Sequence, residues 1–127
     1  MKKIILTPKA PSPIGPYSQA VQFGNQLFLS GQIAIVPETG ELLKGSLEEE
    51  THLVMKNMGA VLAEAGIDYK DLVKCGIFLA DMADFQTVNS VYAQYFDEAQ
   101  APARETVAVK GLPKGVRVEI SGVAFKD

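Results

Sequence analysis

Between Ala101 and Phe125, two runs of alternating character flank the turn-forming segment Gly-Leu-Pro-Lys-Gly, and this stretch constrains the fold most. The first run is Thr106–Val109 and the second is Arg117–Ser121. Residues two apart on a strand share a face, and Gly111, Pro113 and Gly115 supply turn chemistry. The pattern predicts a β-hairpin. If Val109 and Val116 close it, Thr106 faces Glu119 and Arg104 faces Ser121. These four side chains then project from one side, with an always-charged guanidinium beside a carboxylate. That polar set is the candidate working end of the protein.

The remaining chain reads as strands and two helices. Residues 1–6 suit a short strand, and the following TPKAPSPIGPY holds four prolines, which fix φ and remove donors, so an ordered loop is expected. Ser18–Phe23 and Gln26–Ser30 are apolar runs split by Gly24–Asn25, a tight hairpin signal. Gly31 ends the second of these strands, and Pro37–Gly40 is another turn. Ser46 and Glu49 have capping-box spacing, and Val54, Met58, Val61, Leu62 and Ala65 form a helical stripe that Gly66 stops. Leu72–Leu79 is nearly continuous apolar, as for a strand buried on both faces. Asp84 can cap a second helix running to about Asp97, with Phe85, Val88, Tyr92, Tyr95 and Phe96 as its stripe.

This order predicts one α+β domain over residues 1–127, with a mixed sheet. Two helices cover only one face of such a sheet, yet the strands carry apolar residues at both parities. An uncovered apolar face is a large exposed patch, so burial by self-association in a closed symmetric oligomer is expected.

Composition excludes several classes. Twelve basic against fifteen acidic residues leave a net charge of −3, and the basic residues are scattered, so no nucleic-acid footprint is expected. No apolar run reaches the roughly 18 residues of a membrane span, and the N-terminus lacks a signal-peptide core, so a cytoplasmic protein is expected. One cysteine, Cys75, and one histidine, His52, build neither an intrachain disulfide nor a metal cluster. With no phosphate-binding or nucleophile-elbow motif either, the expected chemistry uses no metal and no cofactor.

Each candidate residue carries two readings. Arg104 is either a surface arginine paired with an acid or a bidentate fork for a small carboxylate. Glu119, inside an apolar strand, is either an exposed-face residue or a general acid/base that positions water. Asn89, within the stripe of the second helix, makes a structural hydrogen bond or lines a pocket. Ser30 and Gly31 mark a strand end or a close backbone approach to a ligand. Tyr17 packs or forms a pocket wall. Cys75 reads as core, and His52 as a surface residue.

Taken together, IGPYSQA (14–20), LFLSGQ (27–32), TVN (87–89), PAR (102–104) and LPKGVRVEI (112–120) resemble the RidA (YjgF) family over essentially the whole chain. The resemblance implies a chorismate-mutase-like α+β fold with two helices on one sheet face. It also implies a homotrimer with a central β-barrel and ligand sites between subunits. The implied activity is hydrolysis of reactive enamines and imines, released by pyridoxal-phosphate enzymes, to 2-keto acids and ammonia. By position, Arg104 matches the arginine that grips the substrate carboxylate, and Glu119 the glutamate associated with the attacking water. Tyr17, Ser30, Gly31 and Asn89 match pocket residues. Several relatives have cysteine where this chain has Thr106, so a thiol nucleophile is missing there, while Thr106 can offer its hydroxyl or amide to the ligand. A noncatalytic trimer that senses small 2-keto acids is the alternative, and action on RNA, a label some relatives have carried, is opposed by the acidic balance.

Overall fold

Ser46 starts the first helix as its spacing to Glu49 predicts. In the computed structural model, which describes residues 1–127, the Ser46 hydroxyl accepts the Glu49 amide at 3.1 Å. The Glu49 carboxylate accepts the Ser46 amide at 2.9 Å in return. Two otherwise orphaned donors are thereby satisfied. Helix α1 spans Leu47–Glu64, with Glu48–Glu50 at the positive end of its dipole. Gly66, at φ 76°, turns the chain away. Val54, Met58, Val61 and Leu62 are completely buried against the sheet.

The sheet has six strands: β1 (Lys3–Ile5), β2 (Ala20–Phe23), β3 (Gln26–Gln32), β4 (Leu72–Leu79), β5 (Ala103–Ala108) and β6 (Val118–Phe125). Their spatial order is β1-β2-β3-β6-β4-β5. All neighbours run antiparallel except β4 and β5, which are parallel, so the sheet is mixed. The β2–β3 hairpin turns at Gly24–Asn25, with Gly24 at φ 60°. β3 runs past Gly31 to Gln32, through an irregularity in its pairing with β6.

The expected hairpin between β5 and β6 does not form, because β4 lies between them. The chain runs from β4 through the second helix to β5, and such a crossover returns a strand parallel to its starting strand. β4, the most continuously apolar strand, takes the protected position with neighbours on both edges. Gly111–Gly115 is still a turn, with the Gly115 amide donating to the Leu112 carbonyl at 3.1 Å. It carries the chain past the end of β4 instead of folding β6 back on β5.

Helix α2 spans Phe85–Ala93, starting directly after Asp84 as expected but ending short of Asp97. Asp84 makes no side-chain cap; Asp81 accepts the Ala83 amide at 2.9 Å and opens a short 3-10 turn ahead of α2. Beyond Ala93 the bonds tighten to i→i−3 spacing, with Tyr95 N to Tyr92 O at 3.1 Å and Phe96 N to Ala93 O at 3.3 Å. The aromatic residues at 95 and 96 therefore follow the helix rather than extend it.

Both helices pack on the sheet, and the core lies between. Cys75, Ile77 and Leu79 of β4 and Val118, Ile120 and Ala124 of β6 point into it. The opposite face is uncovered. Ile4, Val21, Phe28 and Val123 form one row across it by register, with Phe23 57% and Phe28 45% exposed. β4 is thus not buried on both faces in the single chain: Lys74 is exposed and pairs with Glu105 at 3.4 Å on that side. No helix is long and apolar enough to cross a membrane.

Candidate functional site

Arg104 sits on β5 in register with Cys75, so it shares the helix-covered face. There α2 receives its guanidinium. Nη1 donates to Asn89 Oδ1 at 2.7 Å. The central carbon lies 5.8 Å from the Phe85 ring centre and 5.1 Å from that of Tyr92, both within cation–π range. No carboxylate lies within ion-pairing distance, the chain's only two ion pairs being Lys74–Glu105 and Arg117–Glu50. Arg117 is the contrast: Nε meets Glu50 at 2.7 Å and Nη2 donates to the Gly45 carbonyl at 3.0 Å, so that arginine is committed to the fold. The paired-surface reading of Arg104 is therefore set aside. Arg104 opens, with Asn89, Tyr92, Phe96 and Pro102, into a cleft of about 650 Å³.

Thr106 lies two residues on and faces the same way, and its Oγ1 is buried without a hydrogen-bond partner. Cys75 is fully buried in the same layer, and burial pushes its thiol pKa up. It is therefore a poor nucleophile.

Glu119 belongs to a second group. Its cross-strand partner on β4 is Phe78, so it faces the uncovered side. A Cβ added to Gly31 would stand 2.5 Å from Glu119 Oε2, so the carboxylate occupies the space a side chain at 31 would need. Tyr17, Gly31, Gln32, Lys114 and Glu119 line a small cavity of about 80 Å³. Burial holds the Glu119 carboxyl above its ordinary pKa. The loop over this cavity is held by Gln19, whose amide group accepts from the Thr7 amide at 2.7 Å and donates to the Thr7 and Pro11 carbonyls at 3.0 and 2.9 Å. Ser30 helps from β3, donating its hydroxyl to the Ser18 carbonyl at 2.6 Å and its amide to the Gln19 carbonyl at 3.0 Å.

The site residues thus fall into two clusters. Arg104, Asn89 and Thr106 share the helix side, and Tyr17, Gly31 and Glu119 gather at the uncovered side, with Ser30 bracing their loop. The hairpin register would have put Arg104, Thr106, Glu119 and Ser121 together. The observed row through Arg104 and Cys75 reaches Gly122 instead, which moves Glu119 and Ser121 to the other face. Three contributors were read otherwise in the sequence. Phe85 and Tyr92 read as core stripe, although their spacing around Asn89 was the signal for a shared face. Lys114, the only non-glycine residue at positive φ (56°), reads in the sequence only as part of the Gly-Leu-Pro-Lys-Gly turn.

Fold and site together define an α+β domain that presents an uncompensated arginine to a small-ligand cleft. Residues 7–126 match the family described as Endoribonuclease L-PSP, and the chain belongs to that family, the RidA (YjgF) family. It is 46% identical over 126 residues to the 2-iminobutanoate/2-iminopropanoate deaminase of Mus musculus, covering 99% of this chain and 93% of that protein. It is 49% identical over 126 residues to a RutC family protein of Pyrococcus abyssi, covering 99% and 98%. The solved structure of Escherichia coli TdcF with bound serine superposes with a TM-score of 0.92 at 42% identity, over 98% of this chain and 99% of that one.

Proposed function

We propose that this protein is a 2-iminobutanoate/2-iminopropanoate deaminase that hydrolyses the reactive enamines and imines released by pyridoxal-phosphate enzymes, without a cofactor of its own. The carrying observation is Arg104, a cation with no acid partner facing an open cleft. A guanidinium fork suits a small carboxylate, and both named substrates carry one. The deaminase names of relatives point the same way.

In this reading the working unit is a homotrimer with a central β-barrel, its uncovered sheet faces packed together. The site lies where the Arg104 cleft of one copy meets the Gly31–Glu119 cavity of the next. Arg104 anchors the carboxylate. The enamine gains a proton at its β-carbon and loses one from nitrogen, giving the imine. Water adds through oxygen to the imine carbon while its proton passes by way of Glu119 to nitrogen. The resulting carbinolamine breaks its C–N bond, and its hydroxyl proton leaves with nitrogen. The products are a 2-keto acid and ammonia. A carboxyl with a raised pKa is suited to accepting and returning that proton. Free imines react with water unaided, so positioning and modest proton transfer suffice. A cytoplasmic setting, beside enzymes that release such intermediates, fits this role. RNA is not an expected substrate, given the net charge of −3 and the scattered basic residues.

The test is a threonine dehydratase reaction with and without this protein. Faster 2-ketobutyrate release, lost in Arg104→Ala, is expected. Binding of 2-ketobutyrate in a calorimeter with no acceleration of release would instead favour a noncatalytic sensor.

A further inference from the structure

We infer that α2 is an electrically neutral clamp that orients Arg104 through Phe85, Asn89 and Tyr92 while leaving its positive charge free for a small monocarboxylate. This inference rests on the carboxylate-anchor reading of Arg104 above. It reassigns Asn89 from a ligand contact to a positioning residue and gives Phe85 and Tyr92 the same role.

The three residues stand at i, i+4 and i+7, the spacing that brings side chains to one helical face. Each holds the guanidinium in a different way. Asn89 accepts one N–H at 2.7 Å, which fixes the rotation of the planar group. The Tyr92 and Phe85 rings lie 5.1 and 5.8 Å from its central carbon and restrict where the plane can sit. An arginine carries five N–H donors, so one bond to Asn89 leaves most of the fork available. A flexible side chain is thereby ordered before any ligand arrives, which lowers the entropy lost on binding.

The neutrality of the clamp matters as much as its geometry. An aspartate at position 89 would hold the guanidinium at least as firmly, but as an ion pair it would cancel the field an incoming carboxylate needs. The amide oxygen orients the group at little electrostatic cost. Tyr92 also stays neutral, since burial pushes its phenol far above physiological pH. Elsewhere the same chain gives a carboxylate partner to an arginine that serves the fold, where Glu50, 6% exposed, holds Arg117. The two arginines thus differ in the charge of their partners, as their different roles require.

The experiment compares wild type, Arg104→Ala, Asn89→Asp, Tyr92→Phe and Tyr92→Leu. The readouts are calorimetric binding of pyruvate, 2-iminopropanoate turnover and the melting temperature. Asn89→Asp is expected to raise KM and the pyruvate Kd by about tenfold or more, through self-neutralisation of Arg104. Its kcat should change little and its melting temperature should hold or rise. A purely structural Asn89 would instead lose melting temperature along with activity. Should Asn89→Asp fail to fold, the tyrosine pair decides: Tyr92→Leu, which removes the ring, should have a KM at least about threefold above that of Tyr92→Phe, which keeps it. If Arg104→Ala binds pyruvate normally, the carboxylate-anchor reading fails and takes the clamp with it. If Arg104→Ala loses binding while Asn89→Asp binds as wild type, or the two tyrosine variants share one KM, only the clamp is overturned.

Discussion

Arg104 and Glu119 lie on opposite faces of one sheet. Arg104 shares a row with Cys75 and Gly122, whereas Glu119 shares one with Phe78 and Val107, and β4 separates their two strands. Rotamer changes do not carry either side chain around the sheet. Chemistry that needs both groups at one substrate therefore takes them from two copies of the chain.

The tight fit of Gly31 against Glu119 gives a first prediction. In Gly31→Ala the added Cβ would stand 2.5 Å from Oε2 and 2.9 Å from Cγ of Glu119, so the carboxylate must move. Displacing a proton-transfer group by about 1 Å costs on the order of 100-fold in rate. Steady-state kinetics should find kcat lowered by about 10- to 100-fold, with KM less affected because Arg104 is on the other face. Unchanged kcat would separate Glu119 from the chemistry.

Glu119 also predicts a pH effect on stability. Its folded pKa is raised by burial, so the folded state holds its proton to higher pH than the unfolded chain does. Stability contributed by this group is then present below the ordinary carboxylate pKa and lost as pH rises through the folded value. Glu119→Gln removes that loss. Denaturant melts should find the variant gaining on wild type between acidic and neutral pH, with the gap closing toward low pH. In the wild-type rate profile, the limb due to Glu119 ionisation should fall above the ordinary glutamate value.

Much of this fold is legible in local sequence, because local chemistry decides those parts. The capping box at Ser46–Glu49, the Gly24–Asn25 turn and the bounds of β4 depend on residues a few positions apart. Alternation and turn residues say which segments are strands, but not which strand lies between them, so local sequence pairs β5 with β6 where the fold inserts β4. The inserted strand also decides the site. Pairing Arg104 with Ser121 instead of reaching Gly122 through β4 is a shift of one residue, and one residue inverts the face. Glu119 and Arg104 were recognisable as candidates, while their separation depended on a long-range register. The end of α2 is hidden in the sequence for a related reason: Tyr95 and Phe96 keep the apolar pattern while their bonds have tightened out of the α-helix.

The uncovered face yields a prediction about assembly. Phe28 is 45% exposed there, in a row with Ile4, Val21 and Val123. Burying a phenylalanine side chain is worth roughly 1.5–3 kcal/mol, whereas burying an unpaired carboxylate is strongly unfavourable. Light scattering should find wild type as a trimer at micromolar concentration and Phe28→Glu shifted to smaller species. Deaminase activity should fall in parallel, because in the proposed reading a neighbour completes the site. A wild-type monomer with full activity would be incompatible with a shared site.

The most direct measurement mixes two inactive variants. Arg104→Ala and Glu119→Gln are each expected to lack deaminase activity alone. Co-refolded in equal amounts, they form trimers in which some interfaces pair an intact Arg104 with an intact Glu119 from the next copy. Random assembly makes about one quarter of the sites complete, so imine hydrolysis at about one quarter of the wild-type rate is predicted. Activity that stays near zero at every mixing ratio, although mixed trimers are demonstrably formed, would contradict a site shared between copies.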